Sequence, residues 1–366
     1  MALIDRASHP TILLEDHLFT LPPTATERLS SQDFEIGPAQ AISDSSEDIL
    51  FVIPPTHTEY TSLADIIFSC KLVVSRPDGT TLIDRTDTVV PVNNLLHSLF
   101  KSVTISLNGR LISDSSELYA MRAYLESLLG FSKQTQKSKL TLAGFYLDKD
   151  FDQPQGRVLG AALSAGANDT RTVTTTAPER RKLLHRGRPI QLSGKLHADL
   201  FQQSKPLITG VEVQIRMIRS KAAFAFCATT AADLPLAVIG NPKLRLRRFV
   251  PNPAFMNSVA RNLLTRNVKY HINRTAMRSM TFGVGMQHCT WANVVIGQLP
   301  KMAIMGIVSN AGFSGVHDRS PFNFKGYDLS HIAAEIEGIT YPSKGYTTDF
   351  GNSSTLSAYE ARCGKK

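Results

Sequence analysis

Residues 90–131 read VPVNNLLHSLFKSVTISLNGRLISDSSELYAMRAYLESLLGF, and this stretch decides the fold. Within it, residues 103–107 alternate between apolar and polar side chains, which is the period of a half-buried strand. Asn108-Gly109 follows, and because both residues accept a positive φ, the pair predicts a two-residue hairpin turn. We expect the returning strand to place Ile112 opposite Ile105.

A helix is predicted directly after this hairpin, over residues 115–129. Asp114 and Glu117 have the spacing of a capping box, and Gly130 stands where a glycine ends a helix. The apolar residues of the helix lie on one face, namely Leu118, Met121, Leu125 and Leu128. The module contains no nucleophile paired with a base, no metal-ligand spacing and no phosphate loop, so it indicates a structural role.

Composition sets broad limits on the class of protein. A chain of 366 residues exceeds the usual size of one core, so one large or two medium domains are expected. With 42% hydrophobic and 19% charged residues, the composition is that of an ordinary globular protein. No apolar run reaches the roughly 18 residues of a membrane helix. We predict no secretory signal either, and the four cysteines have no metal-ligand spacing.

The order of short strands and turns predicts an all-β sandwich architecture. Core strands are predicted at 49–53, 65–75 and 208–217, after a flexible leader at 1–16. Residues 151–188 are small, polar and basic without a sustained period, and are predicted to form a long exposed loop.

A second β-rich unit is predicted to follow an Ala- and Pro-rich joint at 222–242. Its first strand, 243–247, alternates so that its cations share one face. A helix is predicted over 253–265, with Phe255, Val259 and Leu263 turned inward. Further strands are predicted at 278–284, 302–308 and 332–336.

Charge is unevenly distributed along the chain, whose net charge is +9. The 84 residues from 234 to 317 contain no Asp or Glu, yet they contain ten Lys and Arg residues. A block of one sign creates a positive potential over part of the surface. Two interpretations stay open: contact with phosphate, or a basic surface paired with carboxylates from elsewhere. The candidate phosphate contacts are Lys243, Arg245, Arg247, Arg248, Arg274 and Arg278.

Five motifs, in the same order along the chain, resemble the hexon-like major capsid proteins of Maverick/Polinton elements and adintoviruses, including copies integrated in animal genomes. In the opening stretch the matching residues are Asn94, Leu96-His97-Ser98-Leu99-Phe100, Ser106-Leu107-Asn108-Gly109, Tyr119, Arg122-Ala123-Tyr124-Leu125-Glu126 and Leu128-Leu129. The other four matches are 18–26 (LFTLPPTAT), 194–200 (GKLHADL), 297–301 (GQLPK) and 321–325 (PFNFK).

The resemblance implies a tandem (double) jelly roll with short helical insertions, the first jelly roll over 17–230 and the second over 238–366. Family members continue with further strands beyond the stretch that matches 342–350. We therefore expect the second jelly roll to be incomplete or to be completed by another chain. Arg122 and Glu126 are expected either to pair on the helix surface or to make contacts between subunits.

The function implied by the resemblance is that of a structural virion protein, not an enzyme, with no cofactor, catalytic site or metal. Such a protein associates with itself into homotrimeric, pseudo-hexagonal capsomers of a virion capsid, assembled in the host nucleus or cytoplasm, with penton or minor capsid proteins as further partners. The residues carried over as the fold and assembly signature are Leu96, His97, Leu99, Phe100, Asn108, Gly109, Arg122, Tyr124, Gln298, Pro300, Pro321, Phe322 and Phe324.

Two hypotheses from other classes stay open. A host-retained, capsid-derived protein would bind nucleic acid through the basic block at 243–278. An enzyme is the third hypothesis, but the fragments at 283–285 and 288–289 lack the motifs that normally surround a phosphate loop or a cysteine nucleophile.

Overall fold

The computed structural model describes residues 28–43, 46–81, 89–147, 177–184, 187–228, 230–295, 297–336 and 338–349. The predicted leader, the motif at 18–26 and most of the predicted loop 151–188 lie outside these residues. The end of that loop is described, and it is packed: Arg180 and Leu184 are buried, and Arg180 Nε donates to the carbonyl of Pro91 at 3.1 Å.

Strands dominate the described residues, with short helices between them. The strands are β1 (Arg28–Ile36), β2 (Asp48–Ile53), β3 (Tyr60–Ser75), β4 (Val90–Pro91), β5 (Phe100–Leu107), β6 (Arg110–Asp114), β7 (Ile190–Lys195), β8 (Val213–Arg219), β9 (Phe226–Cys227), β10 (Leu236–Pro251), β11 (His331–Ile336) and β12 (Ile339–Thr347). The helices are α1 (Leu95–Ser98), α2 (Tyr119–Gly130), α3 (Lys133–Lys137), α4 (Ala177–Lys182), α5 (Ala222–Ala225), α6 (Pro253–Leu263) and α7 (Asn310–Phe313). None of these described helices is long and apolar enough to span a membrane.

Two four-stranded antiparallel sheets form the main body, in the orders β1-β10-β3-β7 and β2-β8-β5-β6. Their inner faces share one hydrophobic core, in which Phe68 of β3 meets Phe51 of β2 and Phe100 of β5 edge to face. The alternation in β3 explains this arrangement, because every second side chain from residue 66 to 74 is buried. The predicted all-β sandwich class is confirmed.

The hairpin between β5 and β6 turns at Asn108 (φ 47°) and Gly109 (φ 77°), as predicted from the sequence. Ser106 faces Leu111, as the turn predicts, but the predicted pair of Ile105 with Ile112 is wrong, since Ile105 faces Ser113. The pairing shifts between residues 105 and 106, so the two pairs next to the turn keep the register that the turn sets, and the pairs beyond the irregularity are displaced by one residue.

Strand β10 belongs to the first sandwich, although its sequence placed residues 238–251 in a second unit. It pairs with β3 over most of its length and with β1 on its other side. The predicted alternation is confirmed, because Leu244 and Leu246 are fully buried while Arg245 and Arg247 are exposed.

Residues 252–349 follow β10 and are here called the C-terminal segment; residues 296 and 337 of it lie outside the description. Within the described part, β11 and β12 form one antiparallel hairpin, so the strand predicted at 332–336 is confirmed. The strands predicted at 278–284 and 302–308 do not form, and one isolated bridge joins Val308 to Phe324.

The helix predicted at 253–265 is confirmed as α6. Asn252 is its N-cap residue, and the Asn252 side chain accepts a hydrogen bond from the Ala254 amide. The inward face predicted for it is wrong, because no residue of α6 is buried. Phe255 remains 40% exposed and touches the sandwich through the edge of Tyr60, with ring centroids 6.3 Å apart.

Candidate functional site

Helix α2 is the centre of a junction at which several of the quoted motifs meet. It is buried on most sides, including Tyr119, Arg122 and Tyr124. The predicted capping box is wrong, since Leu118 caps the helix without a side-chain hydrogen bond and Glu117 pairs with Lys101 at 2.9 Å. Positive φ values at residues 116 and 117 turn the chain before the helix begins, which separates these side chains from its first amides. Gly130 is the last helical residue, rather than the residue after the end.

A buried ion cluster lies along one side of this helix. Arg122 Nε donates to Glu126 Oε1 at 2.7 Å, and Arg122 Nη2 donates to Asp199 Oδ1 at 2.5 Å. Burial opposes the guanidinium charge, but the two carboxylates raise the pKa of Arg122 above its ordinary value. Burial also opposes ionisation of Glu126, yet the hydrogen bond from His197 and the charge of Arg122 lower its pKa. Arg122 and Glu126 were expected to pair on the helix surface or to make contacts between subunits. The structure shows a pair within the chain, in which Arg122 is buried and also binds Asp199.

Two histidines from distant motifs meet beside this ion cluster. The rings of His97 and His197 are 4.7 Å apart between centroids and nearly perpendicular. His97 Nδ1 lies 2.9 Å from the Tyr119 hydroxyl, and His197 Nδ1 lies 2.8 Å from Glu126 Oε2. Burial, together with the neighbouring His197, lowers the pKa of His97 well below its ordinary value. Burial raises the pKa of Tyr119, so its hydroxyl stays protonated and available as a hydrogen-bonding group.

The opposite side of α2 carries an aromatic stack. The Tyr124 ring lies parallel to that of Phe322, with centroids 4.3 Å apart, and Phe324 lies 6.2 Å away. Phe145 and Phe224 close the cluster at its borders. The PFNFK motif therefore packs directly on the RAYLE motif, although some 200 residues separate them in the sequence.

Hydrogen bonds of Tyr270 and Thr275 also attach the C-terminal segment to the sandwich. The Tyr270 hydroxyl donates to the Pro206 carbonyl at 3.1 Å and accepts from the Ile208 amide at 3.1 Å. The Thr275 amide donates to Asp199 Oδ1 at 3.2 Å, which is the same oxygen that binds Arg122.

We call the ion cluster, the histidine pair and the aromatic stack together the signature junction. Its residues are His97, Tyr119, Arg122, Tyr124, Glu126, His197, Asp199, Phe322 and Phe324.

The predicted signature residues are only partly brought together. His97, Arg122, Tyr124, Phe322 and Phe324 belong to the junction, and Pro321 is buried beside Phe322. Leu96, Leu99 and Phe100 lie in the sandwich core. Asn108 and Gly109 form the remote hairpin turn, while Gln298 and Pro300 are exposed.

The signature set carried over from the sequence left out five contributors to the site: Tyr119, Glu126, His197, Asp199 and the Thr275 amide. The GKLHADL motif offered a signal for two of them. His197 and Asp199 interrupt an otherwise apolar run, and polar groups in such a run need partners when they are buried.

The basic block has acidic partners from the first half of the chain. Lys243 Nζ lies 2.7 Å from Glu35 Oε2, and Arg247 Nε lies 2.9 Å from Asp33 Oδ1. Arg245 faces Glu35 across the strand pair. The hydrogen bonds from Arg247 and Lys243 lower the pKa values of Asp33 and Glu35 respectively.

Arg248 is also held internally, because its Nη2 donates to the Pro54 carbonyl at 2.9 Å and its Nη1 lies 3.8 Å from Glu59. Three of the six candidate phosphate contacts therefore have carboxylate partners in the chain itself. Among the described residues, Arg274 and Arg278 have no carboxylate within 4.0 Å and lie on exposed chain.

An exposed apolar surface covers much of the C-terminal segment between residues 280 and 305. Eight of its large side chains have exposed fractions from 37% upward: Met280, Phe282, Val284, Met286, Leu299, Met302, Ile304 and Met305. Apolar side chains exposed in such number along one stretch are a candidate interaction surface.

Comparisons with known proteins find matches of low sequence identity. No protein-family model matches it. It is 22% identical over 271 residues to an uncharacterized protein of Caenorhabditis elegans, and the match covers 74% of this chain. The chain spans 59% of that relative's length.

Several similar solved structures are of viral capsid proteins. They include the Sputnik virophage (11% identity, 68% of this chain and 53% of that one, TM-score 0.40) and the Faustovirus major capsid protein (12%, 70% and 61%, 0.37). The PBCV-1 virus capsid is a further likeness, at 9% identity over 66% of this chain and 47% of that one, with a TM-score of 0.39.

Proposed function

We propose that this chain is a hexon-like major capsid protein of the Maverick/Polinton kind, which associates with copies of itself into trimeric, pseudo-hexagonal capsomers. The observation that carries the proposal is the signature junction. Motifs that resemble one family in sequence, LHSLF, RAYLE, GKLHADL and PFNFK, contact one another around α2. A shared packing unit gives a physical reason for these residues to occur together.

A structural role fits the chemistry of the junction better than catalysis does. Arg122 binds two carboxylates, and Glu126 accepts hydrogen bonds from Arg122, His197 and Gln202. Each charged group is therefore occupied by another group of the same cluster. Side chains used in this way hold segments together and offer no free nucleophile or base to a substrate.

Self-association is supported by the exposed apolar surface at 280–305. Such a surface is costly in water, and burying it against another copy removes the cost. Capsomer assembly is one arrangement in which each chain supplies and receives such a contact.

Mass photometry and size-exclusion chromatography with light scattering test the proposal. We expect a species of three times the 40.2-kDa chain mass, and larger particles in negative-stain electron microscopy. Met302→Asp with Ile304→Asp should shift the distribution towards the monomer, whereas Leu111→Asp, on the exposed hairpin strand, should leave it unchanged. A chain that stays monomeric at all concentrations and forms no particle would refute the proposal.

Nucleic-acid binding is a second candidate, favoured by one observation. Cations that lack a carboxylate within 4.0 Å among the described residues cluster at 261–278, on exposed chain. The interaction would be electrostatic and independent of sequence. A gel-shift titration with single- and double-stranded DNA tests it, and binding that is absent at low salt would remove this candidate.

A further inference from the structure

We propose that the packing around the His97–His197 pair holds the C-terminal segment on the first sandwich and weakens at acidic pH. This pair lies within a single folded chain, so its role does not depend on capsomer assembly. His97 is buried in the junction, at 3% exposure.

Among the described residues no carboxylate contacts His97 directly, and the groups around it are poorly suited to a positive charge. From α2, the Tyr119 hydroxyl meets its Nδ1 at 2.9 Å. From the chain after β7, the His197 ring packs against it. The backbone of β7 closes over Nε2, since a Cβ built on Gly194 would lie 3.5 Å from that nitrogen. The nearby charges of Glu126, Arg122 and Asp199 belong to the neighbouring ion cluster.

The sign of the pH effect follows from this environment. Burial lowers the pKa of His97 in the folded chain, so the proton binds more tightly once the junction opens. The stabilisation is therefore complete above the ordinary histidine pKa of about 6.5 and is lost as the pH falls below it. Because the pKa of Glu126 is also lowered, its carboxylate remains charged over this window, and His97 carries the response.

The C-terminal segment is linked to this pair by contacts already described. Tyr119 is the first residue of α2, and its hydroxyl contacts both His97 and the His197 amide. The same helix carries Tyr124, whose ring stacks on that of Phe322. The ion cluster next to His197 holds the Thr275 amide through Asp199. A charge placed at His97 displaces the start of α2 and so weakens two attachments of the segment together.

Hydroxyl-radical footprinting at pH 7.5 and pH 5.5 tests this proposal on the full chain. Phe322 is 3% exposed, whereas Phe282 in the same segment is 47% exposed and serves as the internal reference. We expect the oxidation rate of Phe322 to rise at least fivefold at pH 5.5 while that of Phe282 stays constant. Equal protection of Phe322 at both pH values would overturn the proposal.

His97→Asn removes the titrating ring and keeps an amide near the Tyr119 hydroxyl, so this variant should lose the acid response. His288→Asn changes an exposed histidine of the same segment and should keep it. If His97→Asn does not fold, His197→Asn is the test variant. It retains a contact to Glu126 but lacks the second ring, so it should reduce the rise in the Phe322 oxidation rate at least twofold. An unchanged rise in either folded variant would exclude the histidine pair as the sensor.

Discussion

Gly109 adopts a φ of 77° directly after Asn108 at 47°, and these two angles define the turn that joins β5 to β6. An ideal Cβ at residue 109 would meet no atom within 4 Å. The demand for glycine is therefore one of backbone conformation and not of space. A branched side chain cannot adopt this region without strain.

Replacing Gly109 by Val should destabilise the chain by about 1–2 kcal/mol, because the left-handed conformation costs that much for a residue with a Cβ. Gly37→Val is the matched control, since Gly37 also has open space around it but has no positive φ. Urea unfolding followed by circular dichroism measures both variants. Equal midpoints for the two would mean that the turn does not constrain residue 109.

Arg122 offers a second test at the scale of one residue. Its side chain is 1% exposed and binds two carboxylates, so Arg122→Met leaves Glu126 and Asp199 without their cation. We expect a loss of about 3–5 kcal/mol in the free energy of unfolding, the usual result of breaking a buried pair on one side. Arg216→Met removes an exposed pair with Asp48 and should cost less than about 1 kcal/mol. A difference of less than about 1 kcal/mol between these variants would contradict the buried-pair assignment.

At the scale of elements, periodicity predicted the core strands of the sandwich and two helices, but the strands that it predicted at 278–284 and 302–308 do not form. Residues 66–74 and 244–246 alternate in burial because one sheet face meets the core and the other meets solvent. Register was not predictable from the same pattern, since the pairing of β5 with β6 shifts between residues 105 and 106 while its pairing with β8 stays regular there. The prediction that one face of α6 is buried was also wrong, because an amphipathic pattern shows which face is apolar but not what covers it.

The aromatic stack on α2 is an element-scale contact whose removal should loosen one part of the chain. Phe322→Ala takes away a ring 4.3 Å from that of Tyr124, and we expect a loss of about 3 kcal/mol in the stability of this packing. Phe282→Ala, at a site 47% exposed, should change stability by less than about 0.5 kcal/mol.

Hydrogen exchange around residues 119–130 and 310–325 reports on this contact separately from global unfolding. The Phe322 variant should exchange faster in both peptides, while peptides of β3 and β8 keep the parental rates. Faster exchange throughout the sandwich would instead indicate that Phe322 belongs to the global folding unit.

At the scale of the whole molecule, the sequence identified most members of the junction without revealing that they meet. His97, Tyr124 and Phe322 were selected as separate signatures, and their contacts arise from tertiary packing that no local period encodes. Charge shows the same limit. The one-signed block from 234 to 317 was visible in the sequence, but its partners Asp33, Glu35 and Glu59 lie some 200 residues earlier.

The two parts of this basic block should therefore respond differently to nucleic acid. Arg245 and Arg247 lie beside the carboxylates of β1, whereas Arg274 and Arg278 have no carboxylate within 4.0 Å among the described residues. If the chain binds duplex DNA, Arg274→Gln with Arg278→Gln should flatten the slope of log K against log salt by about 1.8, at about 0.9 for each lost phosphate contact. Arg245→Gln with Arg247→Gln removes the same charge and should leave the slope unchanged, because these cations already face Asp33 and Glu35. Fluorescence anisotropy over a salt series measures both slopes. Equal flattening by the two pairs would show that the strand arginines exchange their carboxylates for phosphate, which would return the whole block to the nucleic-acid interface.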